Sequence, residues 1–344
     1  MRSIFDVIGL GNAIVDVIGK ADELTLDLLG MVKSQMRLID QELSTDLSAC
    51  LTDPVQSAGG SAANTMVNLA SLGLKSGFLG KVKDDELGER FRSDLKSAHV
   101  QFLGSQASSG PPTGHCLVFV TPDANRTMNT FLGASAGFST KDIDPLVIAA
   151  SQITFLEGYL LEFPGAQAAL RNAANIAHKT GRKVALSLSD ASCVERHKDE
   201  FWNLIKSHID VLFANEAEII ALTGAFNLDE SIDIIRGKVR FAAVTRGELG
   251  SIVVAGGRFF AVPAPSVRDV VDTTGAGDAY AAGVLFGIIT NRSPEECGWL
   301  GGLAAAEVIS HFGARPARSL GEFVAEQRSE TPSFVRHASI ARQR

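Results

Sequence analysis

Residues 272–283 read Asp-Thr-Thr-Gly-Ala-Gly-Asp-Ala-Tyr-Ala-Ala-Gly, or DTTGAGDAYAAG. Two carboxylates stand six residues apart around a Gly-Ala-Gly turn, and almost everything after the second is small. The glycines permit a tight turn and bring backbone N–H groups close to a ligand, while residues 279–290 carry an apolar helical pattern. A helix amino terminus offers unpaired N–H donors and partial positive charge, so a phosphoryl group fits at Gly275, Ala276 and Gly277. Asp278 falls at that same end and reads in two ways. It is either a base that accepts a substrate hydroxyl's proton while the amides hold the transferring phosphoryl group, or a helix N-cap beside close-packed small residues.

Outward from this stretch, short apolar runs recur, separated by helical patterns. Strands are expected at 5–9, 77–82, 153–156, 183–188, 211–214, 242–245 and 251–254, and helices at 62–72, 87–97, 166–178 and 217–222. Such alternation predicts a mostly parallel sheet covered by helices on both faces. Two stretches fit it poorly, Ile14 to Leu38 and His115 to Phe131. The second alternates apolar and polar residues around a Thr-Pro-Asp-Ala-Asn turn at 121–125 and reads as a hairpin. Together they predict a small accessory sheet. With no repeat, low-complexity tract or long linker, one domain over residues 1–327 is expected, with lid segments at about 14–38 and 115–131 and a basic tail at 328–344.

The 344-residue chain is 45% hydrophobic and 21% charged, which excludes the disordered, collagenous and membrane-spanning classes. Its formal charge of -7 repels nucleic acid polymers and anionic membranes alike. The Arg-rich end from Arg328 reads as a solvated terminus. Cys50, Cys116, Cys193 and Cys297 form no CxxC pair or metal-ligand cluster, so neither a zinc site nor a disulfide framework is expected, and a reducing cytoplasm fits. The apolar amino terminus carries Asp6, Asn12 and Asp16, lacks a cleavage site and is too short to span, so no export or anchoring signal is expected. Two nucleotide motifs fail outright. Ile14 and Tyr280 replace the third glycine of GxGxxG after the Gly9/Gly11 and Gly275/Gly277 pairs, and Gly80-Lys81 lacks the flanking residues of a P-loop. That disfavours a dinucleotide dehydrogenase and a Walker-type ATPase.

DTTGAGDAYAAG resembles the carboxyl-terminal signature of the PfkB (ribokinase-like) kinase family. GLGNAIVD at Gly9 to Asp16, AGGSAAN at Ala58 to Asn64, GKVKDDELG at Gly80 to Gly88, NEAE at Asn215 to Glu218 and VTRG at Val244 to Gly247 are similar to further family landmarks, in order over most of the chain. The resemblance implies ATP-dependent phosphorylation of a small molecule's hydroxyl. It also implies a ribokinase-like three-layer α/β/α sandwich with a mostly parallel central sheet and a small β-sheet lid. Family members occur as monomers and as homodimers built through the lid.

Asp16 suits two hydrogen bonds from neighbouring sugar hydroxyls, or a solvated turn; the resemblance assigns it to substrate, with Asn12, Gly59, Gly60, Ser61 and Asn64. Asn215 and Glu218 have the spacing of a capping box, and by the resemblance they also organise Mg²⁺, water and the nucleotide phosphates, with Glu218 acting through water. Thr245 and Gly247 form a hairpin corner that the resemblance places against those phosphates. It further implies a potassium site at Asp272 with backbone carbonyls of Thr274, Val308, His311 and Gly313, His311 serving through its backbone rather than as a base.

The forms at Gly11 to Asp16 and Gly59 to Asn64, Arg126 followed by TMNTFLGAS, and LSLS at Leu186 to Ser189 are similar to adenosine kinases, whereas ribokinases usually carry Lys where Ser61 stands. The implied reaction is transfer of the ATP γ-phosphate to the 5′-hydroxyl of adenosine, giving AMP and ADP. Leu38, Met128 and Phe131 are then candidates to bracket a purine, though each also reads as ordinary core or lid packing. Met66 and Lys83 depart from the family pattern and leave the pocket shape open. A kinase of ribose, fructose or a related sugar is the second reading, and a non-catalytic ligand-binding protein on the same fold the third.

Overall fold

The run FDVIGL becomes β1 (Phe5–Leu10), with Val7, Ile8 and Leu10 wholly buried. Alternate side chains leave a strand on opposite faces, and here both faces are covered. Val7 joins a core with the helices Ser61–Ser71, Ala276–Ile289 and Pro294–Val308, while Ile8 and Leu10 face the helices Pro164–Lys179 and Lys198–His208. The computed structural model describes residues 4–33, 35–123 and 125–327; the expected tail at 328–344, and Ala124 within the expected turn, lie outside the described residues.

In chain order the further strands are β2 (Ile14–Lys20), β3 (Met36–Leu38), β4 (Thr52–Gly59), β5 (Ser76–Leu79), β6 (Lys81–Lys83), β7 (Gln101–Phe102), β8 (Ser105–Ala107), β9 (Gly114–Val120) and β10 (Arg126–Phe131). Then come β11 (Ser151–Glu157), β12 (Lys183–Ser187), β13 (Val211–Asn215), β14 (Phe241–Thr245), β15 (Ser251–Ala255) and β16 (Arg258–Val262). Among the described residues the large sheet has the order β16-β15-β14-β13-β12-β11-β1-β5-β7 and is parallel except for β15 and β16. The chain first builds outward from β1 through β5 and β7, then returns to build β11 to β16 on the other side. That reversal opens a crevice at the carboxyl end of β1, where ligands of open α/β sheets bind.

The lid is a second sheet of order β3-β10-β9-β2-β4. Its β9–β10 hairpin falls where the alternation predicts, pairing Arg126 with Val120 and Phe131 with His115. β4 was not anticipated, because Pro54 removes a ladder donor; the strand lies at the lid's edge, where proline is tolerated. β4 matters to the site because it sets Gly59 opposite Ile14 and Ser57 opposite Asp16. The single strand expected at 77–82 is in fact two. The chain breaks at Gly80, where a Cβ would lie 2.8 Å from the Gly11 carbonyl, and β6 then pairs with β8 in a separate two-stranded sheet.

The small residues after Asp278 serve close helix packing. A Cβ on Gly283 would lie 2.3 Å from the Leu300 carbonyl oxygen, so the helix Ala276–Ile289 presses its backbone on Pro294–Val308. Among the described residues, no helix is long and apolar enough to cross a membrane.

Candidate active site

The site gathers beneath the lid at the carboxyl end of β1, between the amino termini of the helices Ser61–Ser71 and Ala276–Ile289. Gly275, not Asp278, is the N-cap of the latter helix, in the left-handed region at φ +77°. Asp278 is therefore free of capping duty. Its carboxylate instead accepts from the Ser61 hydroxyl at 2.6 Å and from Asn64 Nδ2 at 3.2 Å. Burial pushes its pKa up to about 7, against the lowering effect of those two bonds. Around it, Gly277 faces open space: no protein atom lies within 4 Å of where its Cβ would stand. Open space at a helix amino terminus beside a carboxylate of raised pKa fits a phosphoryl group next to a base.

Asp16 lies on β2 opposite Ser57 of β4, and a Cβ on the nearby Gly59 would come within 2.4 Å of its carboxylate. Burial raises Asp16 to about 6, opposed by the charges of Arg315 and Arg126. The carboxylate receives no hydrogen bond from the described residues, so its lone pairs are free for a ligand's hydroxyls. Gly60 opens the helix Ser61–Ser71 at φ +87°, and a Cβ there would strike the Asn12 carbonyl at 2.5 Å. Asn12 donates through Nδ2 to Glu157 at 2.9 Å, while its buried Oδ1 has no partner in the protein. An orphaned buried acceptor of this kind suits a substrate hydroxyl.

Glu157 was missed by the sequence reading. At the end of β11 and 1% exposed, it accepts from the Asn12 N–H at 3.2 Å and the Ala62 N–H at 2.8 Å, so it pins the β1–β2 turn to a helix start. Burial raises its pKa. Its signal was an acid closing the apolar run Ile153 to Leu156, too short to stand out. Gly11→Ala is expected to destabilise the protein by about 2 kcal/mol or more, because the methyl would lie 2.3 Å from Glu157 Oε2 and 2.6 Å from Ala62 Cβ. Urea denaturation checks this; an unchanged midpoint would mean the carboxylate moves freely.

Of the three purine-bracketing candidates, two share a face and one does not. Residues 126, 128 and 130 of β10 lie on the Asp16 face, with Leu38 paired to Thr130. Phe131 points to the opposite face, its ring 5.4 Å from that of His115, which bonds Ser44. By the period of two along the strand, Phe131 therefore does not share the face of Met128. It does line a cavity of about 330 Å³ at the lid's end, together with Leu38, Gly133 and Phe163.

Arg126 stands on the Asp16 face as well. Its guanidinium forms an ion pair with Asp272 at 2.7 Å, both side chains being largely buried, and lies over the Phe312 ring at 5.9 Å. Asp272 also accepts from the Thr274 N–H and hydroxyl, and from the Gly313 N–H at 2.8 Å. Four donors fill the four lone-pair positions of that carboxylate. A potassium ion held as the resemblance implies, by Asp272 with carbonyls of Thr274, Val308, His311 and Gly313, would therefore require one of these donors to give way. The His311 ring is held locally by Glu307 and the Ala317 N–H, away from any role as base.

On the nucleotide side, β13 sets Asn215 beside Thr245 of β14. Asn215 and Glu218 form the full capping box: Glu218 accepts from the Asn215 N–H at 2.9 Å and from its Nδ2 at 2.7 Å. Burial raises Glu218 to about 7. Each of its oxygens keeps an acceptor position, which fits a hydrated magnesium ion held mainly by phosphates; among the described residues no group of three or more acids, histidines and cysteines could hold a metal alone. Gly247 follows Thr245 at φ +56° with open space before it.

The chain as a whole is similar to known proteins. The solved adenosine kinase from Sinorhizobium meliloti is 43% identical, with a TM-score of 0.88 over 94% of this chain and 99% of that one. A probable sugar kinase from Rhizobium etli is 39% identical, with a TM-score of 0.89 over 95% and 99% of the two chains. Among curated relatives, the ATP-dependent ribose-1-phosphate kinase from Halopiger xanaduensis is 29% identical over 281 residues, covering 81% of this chain and 89% of that protein. The profile of the pfkB family carbohydrate kinases matches residues 25–319. Beginning after β1 and β2 and running through the remaining lid strands to beyond the Gly-Ala-Gly helix start, that match covers most of the chain and shows that it belongs to the pfkB family, whose members are phosphotransferases acting on hydroxyl groups of sugars and nucleosides.

Proposed function

We propose that the protein phosphorylates the 5′-hydroxyl of adenosine with ATP, giving AMP and ADP. The observation that carries this is the pairing of Asp278, raised to about 7, with the open helix start at Gly277, opposite a bare Asp16 carboxylate. Asp16, the free Oδ1 of Asn12 and the Asn64 amide take the ribose hydroxyls, while Leu38 and Met128 on the Asp16 face give the purine an apolar wall. Asp278 accepts the 5′-proton as the new O–P bond forms. The bond from the γ-phosphorus to the bridging oxygen breaks, and the electron pair leaves with ADP. The amides of Gly275 and Gly277 hold the charge on the migrating phosphoryl oxygens, the Ala276 N–H between them already donating to the Thr273 carbonyl at 3.2 Å. Magnesium, reached through water from Glu218, supplies further neutralisation of the phosphates when bound. The 43% identical adenosine kinase supports the nucleoside over a free sugar.

An ATP-consumption screen against adenosine, other nucleosides, ribose, ribose 1-phosphate and hexoses tests the assignment. Adenosine is expected to lead ribose in kcat/KM by about a hundredfold or more, the scale on which pockets discriminate by burying or orphaning a large substituent. A sugar or sugar phosphate used in preference would transfer the same mechanism to that acceptor and end the adenosine reading.

A further inference from the structure

Past the helix Pro294–Val308, four consecutive residues each meet a different part of the cleft. Phe312 underlies Arg126, the Gly313 N–H donates to Asp272, and Ala314 fills the space that a Cβ on Gly275 would need. Arg315 reaches furthest, its Nε donating to Asn64 Oδ1 at 3.4 Å. Asn64 in turn donates through Nδ2 to Asp278 at 3.2 Å. The amide thus shows its oxygen to a cation and its nitrogen to a carboxylate, the one orientation both charges favour.

Arg315 is costly to keep. Its guanidinium is largely withdrawn from water, and Nη2 is buried without a hydrogen-bond partner. The acids that attract it are Asp94, on the helix Glu86–Ser97, and Asp16. Asp94 is already occupied, accepting from the Ala58 N–H at 2.9 Å and from Arg90. Asp16 is not. The other charged or titratable groups around Asp16 are Arg126 on β10, Cys116 on β9 and Asp278.

We propose that Arg315 is a positioning residue for the acceptor: it fixes the Asn64 amide and stands as counter-charge to Asp16, so that the two receive a hydroxyl pair in one geometry. This rests on Asp16 and Asn64 being the acceptor's hydroxyl partners, and it holds for a nucleoside or a sugar alike.

The test is steady-state kinetics of Arg315→Met, Arg315→Gln, Asn64→Ala and the double variant Asn64→Ala/Arg315→Met, using whichever acceptor of the screen is turned over fastest. Loss of the adenosine assignment therefore leaves the experiment readable. Arg315→Met is expected to raise the acceptor KM about tenfold with the ATP KM unchanged, and Arg315→Gln, which keeps a donor without the charge, to fall between it and wild type. On the Asn64→Ala background the same methionine should add less than about threefold, since its target is gone. Should Arg315→Met fail to fold, Arg315→Gln supports the same comparison. Fully additive penalties, or an ATP KM that rises as much as the acceptor's, overturn the proposal.

Discussion

Asp278→Asn is expected to lower kcat by at least about a hundredfold, the lower range for a positioned acid-base group, with the acceptor KM little changed. Asparagine preserves the volume and the polar contacts to Ser61 and Asn64, but it has no group basic enough to take the alcohol's proton. In the wild type, kcat/KM should climb with pH and level off above about 7, where burial sets the Asp278 carboxyl. The same shift makes a statement about stability, whose sign follows from proton counting. The carboxyl's ordinary value is 3.8 and its folded value about 7, so between them the folded state holds a proton that the unfolded state has released. Stability from this group is therefore lost as pH rises from about 4 to about 7. Asp278→Asn removes that dependence. The variant should melt above the wild type at pH 8, the gap closing as pH falls toward 4, which calorimetry across that window will show. Near-normal turnover in Asp278→Asn would remove this residue as the base.

Gly277→Val should cost about a thousandfold or more in turnover while leaving stability within about 1 kcal/mol of wild type. The backbone at Gly277 is not left-handed, and nothing in the protein lies within 4 Å of the added Cβ, so the fold has no objection to a side chain. The bulk would intrude where a phosphoryl group must approach the amides. Two positions earlier the balance reverses. At Gly275 the φ of +77° and an Ala314 Cβ 2.6 Å away make Gly275→Ala a folding defect of more than about 1–2 kcal/mol. Denaturation midpoints together with single-turnover rates separate the two effects. A Gly277→Val enzyme that still turns over briskly would show that the phosphoryl group is held elsewhere.

The parts of the fold that the sequence made legible are those buried on both faces. FDVIGL and the runs of β11 to β15 are continuous apolar segments because helices cover both sides of the sheet. Edges were harder. β4 carries Pro54, and β16 exposes Phe259 at 60%, so neither reads as core. In the site, the spacing of Asp278, Asp16 and the Asn215/Glu218 box to glycines or caps left two readings open at each position, and the family resemblance chose between them. Phe131 could have been placed by counting in twos from Arg126; the aromatic ring outweighed the count. Glu157 and Arg315 had no such signal, since each gains its meaning from partners between 95 and 251 positions away in the chain. The Asp272 network was legible only in part, because a carboxylate's saturation depends on which donors the tertiary structure delivers.

The Arg126–Asp272 bond joins a strand of the lid to the segment leading into the Gly-Ala-Gly turn. Were lid and turn to part there, two opposite charges largely shielded from solvent would separate, an electrostatic toll on that movement. Dissolved ions soften such a toll only once water has reached the pair.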